Sequence, residues 1–114
     1  MGKEQRRFQR ISESFEVRCR HLGALSEPWH IVVTVDVGAG GLSFQSEELY
    51  ELSDMLEIQI RLPSVQAPLV LHGRVVRNGA LPSGVTECAI EFVDVTLDQQ
   101  VEIDELVQFL SKRV

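Results

Sequence analysis

Cysteine is scarce: Cys19 and Cys88 are the only two in 114 residues, and no Cys-x-x-Cys spacing joins them. A disulfide framework, a zinc ribbon and a thiol redox pair are therefore not indicated, and two reduced, buried thiols are expected. His21, His30 and His72 show no metal-ligand spacing either. With a single tryptophan, Trp29, and a single tyrosine, Tyr50, there is no aromatic series on which single-stranded nucleic acid would stack. The longest apolar runs, Ile31-Val32-Val33 and Pro68-Leu69-Val70-Leu71, fall far short of a bilayer, and no apolar segment follows the charged start. The chain is thus expected in the cytoplasm, without membrane insertion. Neither a Gly-x-Ser-x-Gly elbow nor a Cys–His pair with an orienting partner is present, so no enzyme is expected. Gly38 and Gly40 are followed by Ser43 where a dinucleotide fold needs its third glycine, which removes that class too.

What is present is ordinary in amount and uneven in placement. Hydrophobic content of 44% and charged content of 25% suit one soluble globular domain, and no internal repeat is visible. The net charge is −6, yet Lys3, Arg6, Arg7 and Arg10 against Glu4 give the first ten residues +3, which leaves −9 for the rest. An acidic body with a local cationic arm suits one small anion better than a coat of nucleic acid.

Period-two alternation dominates the middle of the chain. In residues 15–21, Phe15, Val17, Cys19 and His21 share one side and Glu16, Arg18 and Arg20 the other. Residues 30–37 form a nearly continuous β-branched run, broken at 38–41 by a glycine turn or bulge and resumed by Leu42-Ser43-Phe44. Residues 46–54 have helical composition and predict a connector with about one turn of helix. Leu56, Ile58, Ile60 and Leu62 alternate with polar residues, and Pro63 and Pro68 bound the next loop. Residues 69–77 and 86–93 make a further pair of strands, across a loop over 78–84 whose glycines and proline argue against a ladder. Thr96 and Gln99 have capping-box spacing, and Val101, Leu106, Val107 and Leu110 recur at helical intervals.

Six short antiparallel strands and one terminal helix predict a mainly β fold, a six-stranded antiparallel β-barrel with a C-terminal α-helix at one end, since closure removes exposed edges. The single domain, 1–114, divides into a flexible arginine-rich arm at 1–14, the barrel at 15–95 and the helix at 96–114.

Two motifs carry the chemistry. Arg6-Arg7-Phe8-Gln9-Arg10 supplies guanidinium forks suited to phosphate oxygens and the O6/N7 edge of guanine. Asp36-Val37-Gly38-Ala39-Gly40-Gly41 supplies a carboxylate that can accept from the N–H groups of guanine, beside backbone free of side chains. Alone, the first would be a solvated tail and the second a tight hairpin; together they read as a clamp for guanine and phosphate.

The order of features resembles the PilZ domain family, a six-stranded split barrel with a C-terminal helix that binds cyclic di-GMP through R-x-x-x-R and [D/N]-x-S-x-x-G. Glu87-Cys88-Ala89-Ile90-Glu91-Phe92 stands where that family has a strand of the G-I-x-F type. The resemblance implies Arg6 and Arg10 as phosphate and guanine ligands, Arg7 as a neighbouring cation, and Asp36 as acceptor from a guanine edge. It implies Gly41 as the point where the backbone approaches the ligand, in a conformation closed to residues with a Cβ. Gly38 stands where the family's serine is expected, a loss of about 0.5–1.5 kcal/mol that backbone N–H groups in the turn would partly replace. The implied ligand is cyclic di-GMP, with no cofactor. The arm would order on binding, and the new surface would signal to an unidentified downstream protein. Two alternatives stand beside this: a PilZ-like adaptor that does not bind nucleotide and acts only through protein contacts, and a nucleic-acid binder using the basic arm, which the acidic body opposes.

Overall fold

The computed structural model describes residues 10–11, 14–61 and 68–111. Seven strands and one helix follow in order: β1 (Arg10–Ile11), β2 (Glu16–His21), β3 (His30–Gly38), β4 (Gly41–Ser46), β5 (Met55–Ile60), β6 (Leu69–Ala80), β7 (Thr86–Val93) and α1 (Leu97–Ser111). Neighbours run β3-β2-β5-β6-β7-β4, and β4 returns to pair with β3, so six antiparallel strands close into a barrel. The short β1 pairs with the end of β3 on the edge that β2 uses farther along, opposite β4, so it continues the line of β2.

Alternation fills the interior. Val17 and Cys19, Leu42 and Phe44, Leu56, Ile58 and Ile60, Leu71 and Val75, and Cys88 and Ile90 all point inward and are essentially buried. At about 1.5–3 kcal/mol for each large apolar side chain, this core supplies the main driving force for closure. Two irregularities interrupt the ladders. One lies between Thr34 and Asp36 of β3 opposite β4, the other between Val75 and Arg77 of β6 opposite β7. Each inserts one residue and shifts the alternation that follows.

The helix starts as its spacing predicts. The Gln99 N–H donates to Thr96 Oγ1, and the Thr96 N–H donates to Gln99 Oε1, both at 3.1 Å. Ile103, Leu106, Val107 and Leu110 face the core, whereas Val101 is exposed, so the buried stripe runs through Ile103 instead. The helix packs against β1, β3 and β6, at the barrel end where β3 turns into β4.

Two local expectations are corrected. Asn78, Gly79 and Ala80 belong to β6 and pair with Cys88, Glu87 and Thr86, because the bulge before Arg77 absorbs the irregularity and lets the ladder continue. No helical turn forms over 46–54. Ser46 ends β4, the Thr86 hydroxyl lies 2.9 and 2.8 Å from the carbonyls of Ser46 and Glu48, and Ser53 has a φ of 73°. Backbone groups there go to side-chain partners and, for the Ser53 N–H, to the Val75 carbonyl of β6 at 2.8 Å, instead of a helical ladder. Leu62 and Pro63 lie outside the described residues.

Candidate functional site: the glycine corner

β3 and β4 are joined by a two-residue turn, Ala39-Gly40, with Gly38 paired to Gly41. β7 fastens this corner: the Phe92 N–H donates to the Gly40 carbonyl at 2.9 Å, and Gly41 pairs with Glu91. A Cβ on Gly41 would collide with the carbonyl oxygen of Ile90 and come within 3.0 Å of the Glu91 Cα. Gly41 is therefore demanded by close approach of β7. Its φ lies outside the left-handed region, which corrects the conformation expected for it.

Asp36 reaches the outer face through the bulge. Val32 and Thr34 point inward; an unbroken strand would send Asp36 inward as well, but the inserted residue shifts the alternation so that Val37 is buried instead. The Ser43 hydroxyl, opposite Asp36 on β4, donates to Asp36 Oδ1 at 2.9 Å. Since Leu42 and Phe44 belong to the core, Ser43 and Asp36 share the outside of the barrel.

Arg10 is the point where the two motifs meet. β1 pairs antiparallel with β3, and the partners are Arg10 with Gly38 and Ile11 with Val37. The last arginine of the N-terminal motif thus lies in register with the glycine at the serine position. Arg6 and Arg7 lie outside the described residues, as does most of the 1–14 segment. The sequence reading missed Ser43. Its signal was arithmetic: a two-residue turn pairing 38 with 41 also pairs 36 with 43.

The opposite end has different chemistry. His21 sits between two carboxylates, Nδ1 at 3.1 Å from Glu27 Oε1 and Nε2 at 3.2 Å from Asp54 Oδ2, while His30 Nε2 lies 3.4 Å from Glu27 Oε2. Desolvation pulls the His21 pKa down, but the hydrogen bonds from Asp54 and Glu27 overcome it, so His21 titrates above its ordinary range. Glu27 loses some water, which raises its pKa, yet the bond to His21 brings the net shift down. Cys19 Sγ lies 3.3 Å from the Tyr50 hydroxyl; burial pushes both groups up, Cys19 to about 11. Burial also pushes Cys88 up to about 11, so both thiols stay protonated near neutral pH and are poor nucleophiles or metal ligands. Among the described residues, no group of His, Cys, Asp or Glu is placed to hold a metal, and no helix is long and apolar enough to cross a membrane.

A hollow of about 630 Å³ also lies at this end, lined by Trp29, Ile31, Val33, Gln45, Glu47 and Glu48 among others. Its rim carries Glu47 and Glu48, which repel an anion. The glycine corner instead brings together the Asp36 carboxylate, the strand that carries Arg10 and backbone free of side chains.

This chain, a barrel of this topology in which Arg10 pairs with Gly38 of an Asp-x-Gly-x-x-Gly hairpin, matches the PilZ domain model over residues 4–110. The chain belongs to the PilZ domain family. Solved relatives agree in architecture. The Bacillus subtilis inhibitor of motility MotI/DgrA superposes with a TM-score of 0.73 at 20% identity, over 96% of this chain and 50% of that one. The PilZ domain of CeSA from a cellulose-synthesizing bacterium gives 0.69 at 23% identity, over 90% and 98%. The PilZ domain of Escherichia coli YcgR, solved with c-di-GMP, gives 0.71 at 12% identity, over 96% and 93%. At these identities the likeness is one of fold, and this PilZ domain spans half the length of the MotI chain. No curated protein sequence matches it.

Proposed function

We propose that this PilZ domain is a receptor for cyclic di-GMP. The observation that carries the reading is the β1–β3 register: Arg10 lies opposite Gly38, two residues along the strand from Asp36. That juxtaposition supports Arg10 as a guanine or phosphate ligand and Asp36 as acceptor from the guanine N–H groups. Arg6 and Arg7 complete the cationic side, Gly38 and Gly41 keep the floor free of side chains, and Ser43 holds the carboxylate in place. The YcgR domain solved with c-di-GMP lends the reading further support. No cofactor enters the mechanism.

Binding orders the arm over residues 1–14 and presents a new surface to a downstream protein in the cytoplasm. The test is calorimetry with cyclic di-GMP on the wild-type domain, Arg10→Ala and Asp36→Ala, with amide exchange of residues 4–12. Binding by the wild type that each variant weakens by about 10–100-fold, with ligand-dependent protection of 4–12, is expected; full binding by both variants rejects the assignment. A second reading, an adaptor that does not bind nucleotide, is favoured by one observation, Gly38 in place of serine. Absence of heat with the wild type would establish it.

A further inference from the structure

Three ladders align one row of residues across the outer face. β3–β4 sets Asp36 opposite Ser43, β4–β7 sets Ser43 opposite Ala89, and β6–β7 sets Ala89 opposite Arg77. The row spans three strand spacings, about 14 Å. Both of its charged ends directly follow a bulge: Asp36 after the irregularity in β3, Arg77 after that in β6. Val75 is buried and Arg77 exposed, so the second bulge turns the arginine outward as the first turns the aspartate. Between them stand only the short side chains of Ser43 and Ala89, 2% and 7% exposed.

The cations along β6 are not equivalent. Arg74, two register steps nearer the glycine corner, is ion-paired with Glu91. Arg77 has no ion pair among the described residues and stands at the end of the row. A long side chain on β6 can reach over its neighbour β7 toward β4, and the methyl of Ala89 and the hydroxymethyl of Ser43 give the row a low, nearly covered floor between its two charged ends.

Resting on the reading of the domain as a cyclic di-GMP receptor, we propose that Arg77 is a further ligand residue, binding the O6/N7 edge of the guanine distal to Asp36. The ligand carries two guanines, and the row offers a carboxylate at one end and a guanidinium fork at the other. With Asp36 engaging the N–H groups of one base, the molecule extends over Ser43 and Ala89, and the second base meets Arg77. The fork matches O6 and N7 together, which a lysine ammonium cannot do with two parallel bonds.

The experiment is a titration of wild type, Arg77→Ala and Arg77→Lys with cyclic di-GMP and with cyclic di-AMP, with thermal midpoints measured alongside. Expected is a loss of about 10–100-fold in cyclic di-GMP affinity for Arg77→Ala, little recovery in Arg77→Lys, a narrowed preference over cyclic di-AMP, and unchanged midpoints. Wild-type affinity in Arg77→Ala overturns the proposal, and full recovery in Arg77→Lys overturns the guanine-edge contact. If the wild-type domain does not bind cyclic di-GMP, it is the receptor reading itself that falls.

Discussion

Where β3 turns into β4, the barrel is closed by backbone: Gly38 lies against β1, Gly41 against the Ile90 carbonyl, and the Gly40 carbonyl accepts from Phe92. At the opposite end, side chains do the closing. His21 spans Glu27 and Asp54, Arg20 pairs with Glu57 at 2.9 Å and lies 4.2 Å over the Trp29 ring, and Leu25, Leu49 and Leu52 stand exposed. The first end brings main chain close enough to host a planar ligand and holds one carboxylate by a hydroxyl. The second is acidic and apolar, suited to neither guanine nor phosphate. A hollow of about 630 Å³ is thus no guide by itself to where a guanine or a phosphate could be held: the side chains that line it decide.

Five substitutions put the two ends to the test. Gly41→Ala drives a methyl into the β7 backbone and should cost about 3 kcal/mol of stability, read by urea denaturation; a loss near zero would remove close approach as the reason for the glycine. Arg10→Ala should weaken cyclic di-GMP binding by about 10–100-fold at unchanged stability, whereas Ile31→Ser in the opposite hollow should leave the isotherm as it was. Ser43→Ala removes the bond to Asp36, and a loss of about 1 kcal/mol in binding is expected, close to fivefold. In the other direction, Gly38→Ser should tighten binding by up to about tenfold; a gain of a hundredfold or more would mean the turn compensates for nothing.

The smallest effect belongs to the histidine clasp. The folded pKa of His21 is raised, so its contribution is fully present below the unfolded value of about 6.5 and is lost as pH rises through the folded pKa. With the side chain 44% exposed, it stays within the range of about 0.2–1 kcal/mol for exposed ion pairs. Amide exchange of residues 22–29 should quicken with rising pH beyond its intrinsic trend in the wild type and not in His21→Gln. Ligand affinity should be indifferent to that change.

Much of the fold was legible because alternation is a direct record of burial. Val17 and Cys19, or Leu56, Ile58 and Ile60, point inward for the same reason they recur every second residue. The capping box was legible because Thr96 and Gln99 satisfy each other locally. What stayed hidden depends on partners distant in sequence. Asn78–Ala80 looked like a loop because nothing local reveals that β7 is there to pair with them. Residues 46–54 looked helical because Thr86, about forty residues later, is what captures their carbonyls. Of the candidate site, the two motifs were visible as spacings, while the Ser43 contact needed the hairpin register and the Arg77 row needed four strands at once.

One inserted residue in β3 has a consequence for how such a surface can evolve. A strand carries two interleaved messages, odd positions for one face and even positions for the other, and Val35 lets the two exchange places midway. Before it, the even residues Val32 and Thr34 speak to the core; after it, the even residues Asp36 and Gly38 address whatever lies outside. Chemistry at the rim can thus change without rewriting the interior that supports it.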